Sequence, residues 1–164
     1  MVNEINYMSM KSGQEAQIFN LISTVFDEFV ETFFLEEGRN EFLNYMDPNS
    51  LKERSQSNHI NIVALQNQNP IGFIEIRDYN HVSLFFVAKE FQRKGIGKEL
   101  FRRSVDLCLQ KKSELQKITV NASPNSVPAY KKLGFIEEGY EQIKNGIRFA
   151  PMALNLVNKY TGNR

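Results

Sequence analysis

Between Ile71 and Lys112 the chain runs through two short apolar segments, a turn punctuated by two glycines and one long amphipathic segment, and this succession leaves few folds open. Ile71–Arg77 and His81–Val87 are rich in β-branched and aromatic residues and are separated only by Asp78-Tyr79-Asn80, so they read as antiparallel neighbours. His59–Leu65 has the same character, and Gln66–Asn69 joins it to the next run as a hairpin turn, which extends the pair to a meander. The amphipathic segment Gly95–Lys112 carries Ile96, Leu100, Phe101, Val105 and Cys108 on one helical face and Lys98, Arg102, Arg103 and Asp106 elsewhere. A helix with a single apolar stripe must bury it, and the meander supplies the surface.

The flanking regions fit the same plan. Ile5–Met8 reads as a first strand, and Ile18, Leu21, Ile22, Val25, Phe26 and Phe29 recur at the three- and four-residue steps of a helix. A second helical piece around Arg39–Tyr45 is expected to end before Asp47-Pro48, because a residue preceding proline avoids helical backbone. Ile118–Asn121 reads as a strand, Asn125 or Ser126 as the cap of a short helix through Leu133, and Gly134 as its terminator. Phe135–Tyr140 and Ile147–Leu156, about an Asn145-Gly146 turn, complete the β pattern. The predicted fold is α+β, a mixed, mainly antiparallel central sheet flanked by helices. The 164 residues show no internal repeat, and residues 1–164 are expected to form one domain.

Charge narrows the partners. Lys and Arg number 20 against 19 Asp and Glu, so no net field draws the chain to nucleic acid or to an anionic membrane. The apolar run Leu84–Ala88 is far short of the roughly 20 residues that span a bilayer. A single cysteine, Cys108, has no intramolecular partner, and Met1–Met10 lacks the apolar stretch of a secretion signal. A cytoplasmic location is expected, and the oligomeric state is open, a homodimer being possible.

The turn Gln92-Arg93-Lys94-Gly95-Ile96-Gly97 joins a strand to a helix. The first amides of a helix have no internal acceptor and face the positive end of its dipole, so such a junction can hold a phosphate. A dinucleotide fingerprint would need glycine at position 100, which is Leu100, and a P-loop would need Gly-Lys-Ser/Thr after four intervening residues; neither is present. The run from Val87 through Leu100 instead resembles the central motif of GNAT acetyltransferases, Gln/Arg-x-x-Gly-x-Gly/Ala opening a helix after a strand that ends in valine. Thr119–Ala122, then Asn125 to Tyr130 and Leu133-Gly134-Phe135, resembles the motif that follows it.

The resemblance is strongest over His59–Met152 and implies acetyl-CoA as cosubstrate, held between two splayed strands. It implies backbone contacts from Phe85 and Val87, and pyrophosphate contacts in the Gln92–Lys98 turn from Arg93, Lys94, Gly95, Ile96 and Gly97, with Gln92 and Lys98 beside them. It also implies a polar role for Asn121 or Asn125, and Tyr130 as the acid that meets the departing thiolate. The Phe85 N–H would be the oxyanion donor. The base is left between His81 and Glu75, and His59 reads as structural. No convincing metal cluster and no Gly-x-Ser-x-Gly sequence are present, and Cys108 belongs to an apolar helix face. Glu28, Glu31, Glu36, Glu37 and Glu41 beside Phe29, Phe33, Phe34 and Phe42 read as the wet face of helices with an aromatic core, or else as a recess for a cation on an apolar stem. The expected acceptor is the primary amine of a small molecule or amino-acid-like compound. The alternatives are a non-catalytic acyl-CoA-binding or sensing module and an interaction domain that binds no CoA.

Overall fold

The computed structural model describes residues 3–157. Its elements run β1 (Ile5–Ser9), α1 (Glu15–Phe29), α2 (Glu36–Met46), α3 (Pro48–Ser55), β2 (His59–Gln66), β3 (Asn69–Arg77), β4 (His81–Val87), α4 (Ile96–Lys111), β5 (Lys117–Ala122), α5 (Val127–Leu133), β6 (Ile136–Glu137), β7 (Gln142–Lys144) and β8 (Ile147–Asn155). The strands lie in the order β1-β2-β3-β4-β5-β8-β6, with β7 on β8, and every pairing is antiparallel except β4 with β5. The mixed, mainly antiparallel sheet flanked by helices is the predicted architecture.

Strand alternation divides the core in two. Ile60, Ile62 and Ala64 of β2 point with Ile74 and Ile76 toward the stripe of α4, while Val63, Leu65 and Phe73 point toward Ile18 and Ile22 of α1, Met46 of α2 and Leu51 of α3. Covering both faces makes β2 and β3 nearly continuous apolar runs rather than alternating ones. Each fully buried Leu, Ile or Phe contributes on the order of 1.5–3 kcal/mol.

The second helical piece ends at Met46, before Asp47-Pro48 as expected, with Asp47 outside helical backbone. Three local features were not foreseen as they stand. A further helix, α3, begins directly after Asp47, whose carboxylate accepts from the N–H of Asn49 at 3.0 Å and of Ser50 at 3.4 Å, with Pro48 in the first turn. This helix buries only Leu51, so it has no apolar stripe to read. The strand expected over Phe135–Tyr140 shrinks to Ile136–Glu137; Phe135 packs inside, its N–H on the Tyr130 carbonyl, after Gly134 ends α5 at φ 103°. Neither Asn125 nor Ser126 caps α5 with its side chain; the Ser126 hydroxyl donates to the Ser123 carbonyl at 2.8 Å.

β4 carries the feature on which the site depends. Its register against β3 slips by one residue between Glu75 and Ile76: Ile76 faces Val82 but Glu75 faces Leu84, so Ser83 is the extra residue of a bulge. The bulge reverses side-chain parity, with Val82 in the α4 core and Leu84 in the α1 core. On the other edge, β4 meets β5 only at His81 with Thr119 and Val82 with Val120. Beyond that point the sheet splits.

Candidate active site

The gap opens where the bulge begins, and backbone parity shows what lines it. The Ala88 N–H donates to the Ile71 carbonyl on β3 at 2.8 Å, so by alternation Phe86 and Leu84 also bond toward β3, and the N–H and C=O groups of Phe85 and Val87 turn toward the gap. Across it, the Thr119 N–H reaches the Asn80 carbonyl at 2.9 Å, so two residues on the backbone of Asn121 faces the gap. The Gln92 side chain folds back onto the Val87 carbonyl at 2.9 Å and does not stand free at the turn.

Past the open end of β4 lies the amino terminus of α4. Gly95 precedes its first residue at φ 83° and Arg93 also has positive φ, 60°, with Lys94 between them outside that region. Alternation of this kind turns successive amides toward a common point and makes an anion nest continuous with the first turn of the helix. Arg93, Lys94 and Lys98 are exposed, whereas the Ile96 side chain is buried and leaves only its amide at the turn. A Cβ on Gly97 would stand 3.5 to 3.7 Å from Phe85 and Val87, in ordinary contact, so that glycine adjoins the wall of the gap. The unpaired strand edges and the nest fit an extended chain ending in a phosphate: the edges would pair with amides, the turn with the anion.

The remaining candidates distribute around the narrow end. Tyr130 is buried, its ring edge-on to Phe85 with centroids 6.1 Å apart and to Phe135 at 5.3 Å. Burial pushes its phenol well above the ordinary value, so it stays protonated. His81 lies on the closed side of the split, its Nδ1 2.7 Å from the Thr119 hydroxyl; burial and, less, the Arg77 charge lower its pKa to about 4, and the imidazole is neutral at neutral pH. Asn121 and Asn125 are exposed beyond the split. His59 sits on β2 with its Nδ1 3.3 Å from the Ser57 hydroxyl.

Glu75 occupies a different setting. Its carboxylate is fully buried and accepts from Ser83 at 2.7 Å, Tyr45 at 2.8 Å, Arg54 Nε at 3.2 Å and Asn61 at 3.4 Å. Arg54 also stacks 3.6 Å over the Tyr45 ring, and burial pushes the Tyr45 phenol up to about 12. Ser83, Tyr45, Arg54 and Asn61 escaped the sequence reading, because nothing in the pattern Val82–Val87 marks the bulge that turns Ser83 inward.

On the α1 face the wide end is bridged. α1 packs over β3 and β4, yet Phe34 bridges to Ile147 of β8 and the Leu35 N–H donates to the Gly146 carbonyl at 2.7 Å, so the α1–α2 linker crosses the split. Phe34 touches Phe42 at 5.5 Å and Phe42 touches Phe86 at 6.1 Å, an aromatic chain from β8 back to β4. Of the five acidic residues of this region, Glu28 pairs with Lys89 at 2.6 Å and Glu31 with Arg39, while Glu36, Glu37 and Glu41 are exposed. Burial pushes the Cys108 thiol up to about 12, which keeps it unreactive. Among the described residues no group of His, Cys, Asp and Glu could hold a metal ion, and no helix is long and apolar enough to cross a membrane.

A mixed sheet that splits between its two parallel strands, with a glycine turn and helix terminus facing the split, defines the acetyltransferase type of α+β fold. The acetyltransferase (GNAT) domain matches residues 29–156, and the chain belongs to that family. Among solved structures it is similar to a GCN5-related N-acetyltransferase from Rhodopseudomonas palustris (TM-score 0.78, 17% identity, 95% of this chain and 99% of that one). It is also similar to PaiA N-acetyltransferase from Thermoplasma acidophilum in complex with coenzyme A (TM-score 0.77, 16% identity, 93% and 99%). A spermidine N-acetyltransferase chimera from Vibrio cholerae has a TM-score of 0.63 at 20% identity over 92% of this chain and 95% of that one. No curated protein matches the sequence.

Proposed function

We propose that the chain is an acetyl-CoA-dependent N-acetyltransferase whose acceptor is the primary amine of a small or amino-acid-like molecule. The observation that supports the reading is the split itself: the gap-facing backbone of Phe85 and Asn121 and the Val87 N–H, which β5 leaves without a strand partner, lead straight to the nest at Arg93–Gly97. The coenzyme A in the Thermoplasma relative and the spermidine activity named for the Vibrio chimera support the cosubstrate and the acceptor class respectively. Bound acetyl-CoA supplies an acetyl group activated as a thioester.

The chain's own groups then divide the work. The amides of the turn and of Ile96 and Gly97 hold the pyrophosphate, with Arg93, Lys94 and Lys98 adding local positive charge. The Phe85 N–H donates to the carbonyl oxygen as the amine adds, and its value comes from being aimed before the reaction starts. The Tyr130 hydroxyl donates to the sulfur as the carbon–sulfur bond breaks. Its raised pKa suits hydrogen-bond donation better than early proton release, because a thiol titrates near 8.5. The nitrogen loses one proton as the sulfur gains one, so the step balances. With His81 neutral and only weakly basic, and Glu75 saturated by donors, the amine enters in its neutral form.

Following free thiol released from acetyl-CoA across a panel of amines tests the reading. Release that depends on a small primary amine is expected. Binding of CoA with no release for any amine would support the sensing alternative instead, and no binding at millimolar concentration would remove both.

A further inference from the structure

The bulge in β4 raises a question that the proposed chemistry leaves open: what holds it in place at the point where the sheet divides. Ser83 is the extra residue, and it follows directly on Val82, the last residue of β4 paired to β5. Its hydroxyl lies 2.7 Å from the Glu75 carboxylate and 3.3 Å from the Glu75 carbonyl, so the inserted residue is tied to the β3 residue at the register slip. Glu75 is itself immobilised, fully buried and held by Tyr45 from α2, Arg54 from α3 and Asn61 from β2. Two helices, α2 and α3, and strands β2 and β4 therefore converge on the one carboxylate that holds Ser83.

We propose that Ser83, anchored by Glu75, is a positioning residue for acetyl transfer: it fixes the bulge that splits β4 from β5 and aims the Phe85 N–H into the gap. The inference rests on the reading of the gap as the acetyl site. A bulge bends its strand and increases the local twist, which carries β4 away from β5 just where pairing stops. It also shifts parity by one. Without the extra residue the alternation set by Val82 would continue, Leu84 would join Val82 on the α4 side, and Phe85 would bond toward β3 instead of facing the gap. A serine suits the post because its short side chain reaches back to the opposing strand, and its hydroxyl supplies a donor to carboxylate oxygens that already accept from Tyr45, Arg54 and Asn61. Glu75 thus acts on the reaction through Ser83 and need not touch the amine.

The test compares Ser83→Ala, Ser83→Thr and, as a control for loss of a buried hydroxyl, Ser104→Ala, whose Oγ donates to the Leu100 carbonyl at 2.7 Å inside α4. Two readouts are taken. In the free protein, nuclear magnetic resonance follows hydrogen exchange and the chemical shifts of the Leu84 and Phe85 amides. In turnover, kcat and the KM for acetyl-CoA are measured with the best amine of the panel. Ser83→Ala should move both amide resonances, speed exchange at Leu84 and lower kcat about tenfold or more, with KM within about threefold because the nest is at the other end of β4. Ser83→Thr, which keeps the hydroxyl, should restore the amide shifts and return kcat to within about threefold, and Ser104→Ala should leave both readouts at wild type. Unchanged amide shifts and kcat in folded Ser83→Ala would overturn the proposal, as would a failure of threonine to restore them while the protein stays folded. If Ser83→Ala does not fold, Ser83→Thr alone decides: altered amide shifts there would contradict the hydroxyl's role. A wild type without transferase activity whose Phe85 amide still responds to Ser83→Ala would refute the acetyltransferase reading and leave the clamp standing.

Discussion

At the residue scale the proposed chemistry draws on groups whose protonation is set mainly by burial. Tyr130 is packed on two aromatic rings, so Tyr130→Phe should fold normally and lose only the hydroxyl. A fall of about tenfold in turnover, roughly 1.4 kcal/mol in barrier, with CoA affinity within about threefold is expected from kinetics and calorimetry; wild-type turnover across pH 6 to 9 would make the tyrosine scaffold. For His81 the sign is fixed by a pKa lowered to about 4. The imidazole is unprotonated through the whole range above pH 6, so an acid limb there reports deprotonation of the acceptor amine. The limb should follow the amine pKa when two acceptors are compared and survive His81→Gln; a limb that vanished in that variant would assign it to the histidine. The same shift makes the folded state bind fewer protons than the unfolded state between about pH 4 and 6.5, so His81 contributes to acid destabilisation as the pH falls through that window. The glycines and Tyr130 could be singled out from the sequence because each has a fixed place in the motif it resembles, and the structure puts the turn at a helix start and Tyr130 against Phe85. The Glu75 contacts of Ser83 and Arg54 could not, since they come from a register slip and from a helix with no apolar stripe.

At the element scale the sheet and α4 were readable from periodicity, and the failures share one cause. α3 and β6 are short and poor in buried residues, so their existence rests on a cap, a proline and neighbouring strands rather than on pattern. The bridge over the gap was equally hidden. The sequence marks Asn145-Gly146 as a hairpin turn, and the structure bears this out with φ 51° and 76°, but the turn also docks α2. A Cβ on Gly38 would lie 2.4 Å from the Gly146 carbonyl oxygen and 2.6 Å from its carbon, both backbone atoms with little room to yield. Gly38→Ala should therefore separate α2 from the hairpin at a cost of about 1–3 kcal/mol, a loss of several degrees in Tm by calorimetry for a chain of this size. An unchanged Tm would show that this contact is not close.

For the whole molecule, the fold places the glycine turn proposed to hold phosphate and the Phe85 N–H proposed as oxyanion donor at opposite ends of one strand edge, β4, and a bulge separates that edge from β5. The layout explains why the cosubstrate side is legible in sequence: backbone amides at a helix terminus need glycines at set spacing. The face opposite α4 is bridged by Phe34 of the α1–α2 linker, Phe42 of α2, Phe86 of β4 and Ile147 of β8, which only the folded chain brings together, and spacing along the chain carries no signal of it. Isothermal titration of acetyl-CoA into the wild type and into Gly97→Glu tests the central claim. At position 97 the first carbon of a side chain fits without clash, so the variant should fold, while its carboxylate would extend from the wall of the gap toward the nest. Saturable one-to-one binding by the wild type and a loss of tenfold or more in Gly97→Glu, about 1.4 kcal/mol or greater, is the predicted result. Equal affinity in the two folded proteins would contradict the placement of the cosubstrate in the split sheet.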